Sequence, residues 1–230
     1  MPADPTPDRL IASGRAADVY DLGDGTVLRR YRDDRHDLAC EARAMSYVAE
    51  HGVRVPAVVE ASGTDLVMER IEGRTMLNAL AERPQLVLRM ARLLADLQSQ
   101  IASIPATPWL MPPGWSARHD DDDPVVLHLD LHPMNVLLAD DGPVVIDWTN
   151  VSGGPAGFDA ASSYVVMATY EVAAWHERLA RRAFVGAFRR ARGRRLIDPF
   201  LAAACDHRLA DRNTTPDERE RIVALRRRYA

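Results

Sequence analysis

Five polar side chains crowd one short, otherwise apolar stretch of this chain. His128-Leu-Asp130-Leu-His132-Pro-Met-Asn135 is followed, twelve residues later, by Ile146-Asp147-Trp148. The runs VVLHL, NVLLA and PVVIDW around them are separated by LHPM and by Asp140-Asp141-Gly142, the pattern of short buried strands joined by turns. Such a strand–loop–strand hairpin holds Asp130 in its loop, begins its next strand at Asn135 and ends the one after at Asp147. Asn135 and Asp147 then come to the same end, where an amide oxygen and a carboxylate can share one hard cation. So few protein oxygens suit Mg²⁺, which keeps waters and completes its shell from phosphates. Asp130 is placed to accept a proton from an attacking hydroxyl.

The rest of the chain changes period once. ADVYDLGDGTVLRRY (17–31) reads as two strands turning at Gly23-Asp24-Gly25. Leu38, Ala42, Met45 and Val48 recur at helical spacing over 37–51, with Gly52 at the expected helix end. VRVPAVVE (53–60) and DLVMER (65–70) look like two more strands. Beyond residue 70 the pattern turns helical: Pro84 opens a helix striped with Leu86, Met90, Leu93, Leu94, Leu97 and Ile101. Residues 104–124 contain five prolines and read as an extended loop. From about 157 onward the chain is helical again, with a start at Asp198-Pro199 and a capping box at Thr215-Pro-Asp-Glu218. Strands first, helices after and short strands at the seam make an α+β arrangement in two lobes.

Composition sets outer bounds. A chain of 230 residues, 47% apolar and 27% charged, can bury a sizeable core as one domain or a two-lobed unit. Its longest apolar runs are about five residues, far short of the roughly 20 that cross a bilayer. MPADPTPDRL lacks the features of a signal peptide. Cys40 and Cys205 cannot make a disulfide framework and read as reduced, buried fillers. A cytoplasmic protein with no membrane partner is expected. All 29 basic residues are Arg. Residues 1–160 carry 14 Arg against 25 acidic residues, and residues 161–230 carry 15 against 8. The basic C-terminal part reads as the solvated faces of Arg-rich helices, so no nucleic-acid partner is expected. No long heptad or exposed apolar strip argues for an obligate oligomer, which leaves a monomer or weak dimer.

H-x-D-x-H-x-x-N followed by I-D-W resembles the catalytic motif of the aminoglycoside-phosphotransferase-like small-molecule kinases, a branch of the protein-kinase fold. The likeness runs from about residue 10 to about residue 225. It implies a bilobal, protein-kinase-like α+β fold, with an N-terminal nucleotide-binding lobe over 1–70 and a helical C-terminal lobe over 71–230 that carries the catalytic hairpin 125–148. It also implies in-line transfer of the γ-phosphoryl group of ATP (or GTP), with Mg²⁺, to a hydroxyl of a small molecule. By that resemblance Asp130 is the catalytic aspartate, and Asn135 and Asp147 bind Mg²⁺. Ser13 and Gly14, before the first strand, would cover the phosphates with backbone N–H groups. Arg29, on VLRRY, takes the place of the family's phosphate-binding lysine. Glu41 lies on the core face of its helix, so its carboxylate needs a cation, and Arg29 is the natural candidate. Met68 and Glu69 fall at the inter-lobe hinge, whose backbone would bond the adenine edge. Asp159, in GPAGFDAA, matches a structural aspartate of the family, while His132 and His128 would brace the catalytic loop.

Arg29 is the departure from the family pattern. Arg is planar and always charged and has a different reach from Lys, so a nucleotide-binding, pseudokinase-like regulator with little turnover is an alternative reading. A metal-dependent phosphoesterase is a third, but it needs further His and Asp ligands at strand ends, and none stands out beyond this hairpin. Family acceptors include aminoglycosides, macrolides, choline, amino alcohols and sugars. The Asp120–Asp123 run suits a polycation, whereas eight Arg between 178 and 195, with no acid among them, weigh against one. A small-molecule hydroxyl acceptor is expected.

Overall fold

The computed structural model describes residues 6–14, 16–33, 37–112, 123–212 and 214–229. Arg15 and, in the acidic run, Asp120, Asp121 and Asp122 lie outside the described residues. The chain divides into two compact units: Met1–Arg74 with Leu137–Asn150, and Thr75–Val136 with Val151–Ala230.

β1 (Leu10–Ser13), β2 (Ala17–Asp21) and β3 (Thr26–Tyr31) open the first unit as an antiparallel meander. Gly23 and Gly25 turn the β2–β3 hairpin at φ 82° and 85°, a region that residues with a Cβ rarely enter. β1 was not expected from sequence. All four of its residues are exposed, so no alternation of burial announces it. The Asp37 side chain accepts from the Cys40 N–H at 3.0 Å and caps α1 (Leu38–Glu50). This helix buries Leu38, Glu41, Ala44, Met45 and Val48 and packs on β4 (Val58–Ser62) and β5 (Asp65–Glu69). The sheet order is β1-β2-β3-β5-β4, antiparallel throughout. Leu28 and Leu66 are fully buried in its central strands, and each such side chain contributes about 1.5–3 kcal/mol. The strand expected over 53–60 starts only at Val58. Val53 and Val55 are buried outside the sheet, and Pro56 has no N–H to give to a ladder.

β6 (Arg74–Thr75) leads into α2 (Met76–Glu82), which the sequence reading did not separate from the next helix. Pro84–Leu86 is a single 3-10 turn, and the amphipathic α3 (Val87–Ile101) follows it. Next come the short strands β7 (Val125–Leu127), β8 (Val136–Ala139), β9 (Gly142–Val145) and β10 (Ser152–Gly154), with β10 antiparallel to β7. α4 (Ala156–Thr169), α5 (Trp175–Arg192), α6 (Arg194–Ile197), α7 (Leu201–Ala210) and α8 (Pro216–Arg226) complete the second unit. There α5 packs on α3 and α4, and α7 packs on α4 and α8. Leu94, Ile101, Phe188, Leu201 and Ile222 are fully buried in this unit.

The expected boundary between 1–70 and 71–230 is corrected by the position of residues 137–150, which belong to the first unit. β8 and β9 share a sheet with β6, and the Val145 N–H donates to the Arg54 carbonyl at 2.9 Å. Gly73 lies so close to Leu138 that a Cβ would stand 2.7 Å from its carbonyl oxygen. Asp130 and Asn135 therefore belong to the second unit and Asp147 to the first. Both cysteines are free; Cys205 is buried, but Cys40 is half-buried rather than the buried filler expected. Among the described residues no helix is long and apolar enough to cross a membrane.

Candidate active site

In the second unit, the loop after β7 is held from below. Leu129 has a positive φ, 63°, which is a strained conformation for a branched side chain. Its N–H donates to Asp159 Oδ1 at 2.7 Å, and Asp159 Oδ2 accepts from Gln98 Nε2 at 3.0 Å. Asp159 and Gln98 are both fully buried. One aspartate on α4 and one glutamine on α3 thus pin the backbone that aims Asp130. The buried His128 braces the same turn, its Nδ1 accepting from the Asp130 N–H at 3.3 Å.

Asp130 itself is held asymmetrically. Asn135 Nδ2 donates to the Asp130 carbonyl at 2.9 Å and to Oδ2 at 3.4 Å. His132 Nδ1 accepts from the Met134 N–H at 3.3 Å, and its Nε2 lies 3.6 Å from Asp130 Oδ2. Oδ1 is buried and has no hydrogen-bond partner among the described residues. Because the Asn135 amide nitrogen is used inside the loop, its Oδ1 is the atom left to act as a hard oxygen donor.

The first unit carries a second polar cluster. Arg29 Nη1 donates to Glu41 Oε1 at 3.0 Å, and Nη2 donates to Asp147 Oδ1 at 2.6 Å and to Thr149 Oγ1 at 3.1 Å. Tyr31 Oη donates to Glu41 Oε2 at 2.7 Å and lies 2.8 Å from Thr149 Oγ1, while Thr149 donates to Asp147 Oδ1 at 2.6 Å. The guanidinium also stacks over the Tyr31 ring, 4.8 Å from its centroid. Burial works against the Arg29 charge, but Asp147 and then Glu41 more than offset it and hold the group above its ordinary range. Burial raises Glu41 above the usual carboxylate range, opposed by Arg29. Asp147 has a φ of 65°, so the two non-glycine residues with positive φ among the described residues stand beside these two clusters. Its side chain is 36% exposed, against 12% for Arg29.

Two further sets of sequence-predicted residues make contacts within the first sheet and its turn. Ser13 ends β1 instead of preceding the first strand, and its hydroxyl donates to Asp18 at 2.6 Å. The Gly14 N–H donates to the Ala17 carbonyl at 2.9 Å, so the turn is closed on itself and that N–H is not free for a phosphate. Met68 lies opposite both Val27 and Val58 inside the sheet, and the Glu69 N–H donates to the Ala57 carbonyl at 2.8 Å. The Glu69 N–H therefore belongs to the sheet ladder. Conversely, sequence reasoning passed over Tyr31, Thr149, Gln98 and Arg208. Tyr31 was within reach, since it alternates with Arg29 on one face of β3. The others come from distant segments and leave no local signal.

A strand-rich unit with one inserted helix, followed by a mainly helical unit, is the α+β arrangement of the protein-kinase-like fold. The model of the phosphotransferase enzyme family matches residues 8–120 and 110–196, and the chain belongs to that family. No curated protein matches it in sequence. Among solved structures it is similar to a thermostable mutant of aminoglycoside phosphotransferase APH(4)-Ia in ternary complex with AMP-PNP and hygromycin B: TM-score 0.63, 18% identity, 95% of this chain and 92% of that one covered. It is also similar to amicoumacin kinase hAmiN in complex with AMP-PNP, Ca²⁺ and Ami, at TM-score 0.59, 14% identity and coverage of 98% and 89%. A choline/ethanolamine kinase family protein from Mesorhizobium loti aligns at TM-score 0.55, 16% identity and coverage of 96% and 85%. The chain is a phosphotransferase.

Proposed function

We propose that this enzyme transfers the γ-phosphoryl group of ATP (or GTP) to a hydroxyl of a small molecule, with Mg²⁺. The observation that carries the reading is the asymmetry of Asp130. Asn135 holds Oδ2 while the buried Oδ1 has no donor among the described residues, which is the arrangement of an acceptor awaiting a hydroxyl. Asp130 takes the hydrogen of that hydroxyl and orients its oxygen for in-line attack. Asn135 Oδ1 and the Asp147 carboxylate are the hard oxygen ligands, and Mg²⁺, when bound, neutralises phosphate charge. Arg29, braced by Glu41, supplies a fixed cation for the nucleotide phosphates. The AMP-PNP complexes of two similar proteins support the choice of donor.

The Arg-rich stretch 178–195 is silent about the acceptor. Arg181 bonds the Tyr170 carbonyl, Arg189 Nε donates to Asp198 at 2.8 Å and Arg192 bonds Ser99, so these three brace α5. Hydroxylated small molecules of either charge therefore belong in the acceptor screen. The test has two arms. Thermal unfolding should show stabilisation that needs ATP and Mg²⁺ together, about 2.7 kcal/mol at 100 times the dissociation constant. Asp130→Asn should lower phosphotransfer by about 10²–10⁴-fold while that stabilisation persists. Undiminished transfer in Asp130→Asn would refute the role of Asp130.

A further inference from the structure

We infer that Arg208 is a positioning residue for Asp130: a fixed cation that steadies the carboxylate without occupying the oxygen that receives the hydroxyl. The inference rests on the proposed role of Asp130 and adds a residue that the motif does not contain.

Arg208 lies in the last turn of α7, and its side chain is 18% exposed. Nε and Nη2 donate to Glu218 Oε1 at 3.1 and 2.9 Å, and Nη1 donates to Asp211 Oδ2 at 3.3 Å. The Arg208 carbonyl accepts from Thr214 Oγ1 at 2.8 Å. Glu218, in the first turn of α8, is itself buried, and its N–H is capped by Thr215 Oγ1 at 3.2 Å. Its carboxylate, which a capping box would turn back on Thr215, is turned instead to the guanidinium. The α7–α8 corner thus fixes Arg208 from two directions.

From that position Nη1 stands 3.8 Å from Asp130 Oδ1. At 3.8 Å the contact is too long for a hydrogen bond, yet well inside the range of charge attraction at a partly buried site. The distance matters for the chemistry. A guanidinium bonded to Oδ1 would take up one of its two lone pairs and compete with the acceptor hydroxyl. One removed altogether would leave Oδ1 buried with neither a donor nor a charge beside it. Glu218 and Asp211 set the intermediate position, so Glu218 acts as a tether that keeps Arg208 off Asp130.

The full-length protein tests this with Mg-ATP and water as acceptor, with kcat and KM for ATP measured separately. Arg208→Gln should lower kcat about tenfold, with KM for ATP unchanged within about twofold. Arg208→Lys, which restores a charge, should recover most of that loss. Glu218→Gln should lower kcat by letting the guanidinium close on Oδ1, and should add nothing in the Arg208→Gln background. Thermal unfolding of each variant confirms that it is folded. If Arg208→Gln is not, Glu218→Gln decides alone, and a wild-type kcat there overturns the inference. So does a wild-type kcat in folded Arg208→Gln, an equal loss in Arg208→Lys, or additive losses in the double variant. Undiminished hydrolysis in Asp130→Asn is a different failure, since it removes the phosphotransfer reading on which the inference stands.

Discussion

Around Arg29 in the first unit, Glu41 and Asp147 each meet the guanidinium and a hydroxyl, and the contacts close into one network. Around Asp130 in the second unit, one carboxylate oxygen is held at 3.4 Å by Asn135 and the other is buried without a hydrogen bond among the described residues. Buried polar groups are nearly always satisfied, and an exception calls for a reason. A closed network gives rigidity and a fixed field, because every member resists displacement. An open acceptor gives a place for a reactant. In the proposed reaction the first cluster presents charge, and the second receives a proton.

The contrast breaks most readily at Arg29. Arg29→Ala leaves Glu41 buried without its cation, and loss of one partner of a buried pair costs about 3–5 kcal/mol. Arg29→Lys keeps the charge but loses the fork that spans Glu41, Asp147 and Thr149, at the cost of one charge-assisted hydrogen bond, about 1.5–3 kcal/mol. Urea denaturation of both variants checks the ranking. Equal stability in the two would show that only charge matters there and that the network geometry does not.

A comparable effect separates two variants at Asp159. Asp159→Ala strips the acceptor from the Leu129 N–H and from Gln98 Nε2, and each buried donor left unpaired costs about 1–3 kcal/mol. Asp159→Asn should be much milder. Its amide oxygen can still accept from Leu129, and its amide nitrogen can donate to Gln98 Oε1, which has no hydrogen-bond partner now. A Gln98 amide flip suffices. Denaturation midpoints distinguish the cases, and similar losses in both variants would deny Asp159 a pairwise role in holding the strained loop.

What the sequence made legible follows the range of each interaction. The β2–β3 hairpin, α1 and its cap end, and the His128–Asn135 loop rest on neighbours within a few residues, so period and turn chemistry expose them. Glu41 was readable as a core-facing carboxylate because Leu38, Met45 and Val48 share its helix face, and Arg29 was its natural partner. Thr149 and Asp147 reach Arg29 from the far side of the chain, and nothing near residue 29 signals them. The same holds for Arg208 beside Asp130. β1 escaped for a different reason, since an exposed edge strand has no buried face to write a pattern. At Gly14 and Met68 the sequence is silent for a further reason, since residue type says nothing about which main-chain groups a sheet bonds.

The finest test concerns protons. Glu41 to Tyr31, Tyr31 to Thr149 and Thr149 to Asp147 are three O···O contacts of 2.7, 2.8 and 2.6 Å, and the two hydroxyls supply two protons between them. Burial raises the pKa of Glu41, opposed by Arg29, so its carboxyl holds a proton to higher pH than a free one would. A folded-state value above the unfolded one means that the linked stability is fully present below the ordinary 4.5 and is lost as pH rises through the folded value. Glu41→Gln mimics the protonated form and cannot titrate. The stability of the wild type relative to Glu41→Gln should therefore decline as pH rises from 4.5 toward neutrality, measured by urea denaturation at matched ionic strength. A relative stability that climbs over the same range would mean that the ion pair with Arg29 outweighs burial, and that the network holds Glu41 as a full carboxylate.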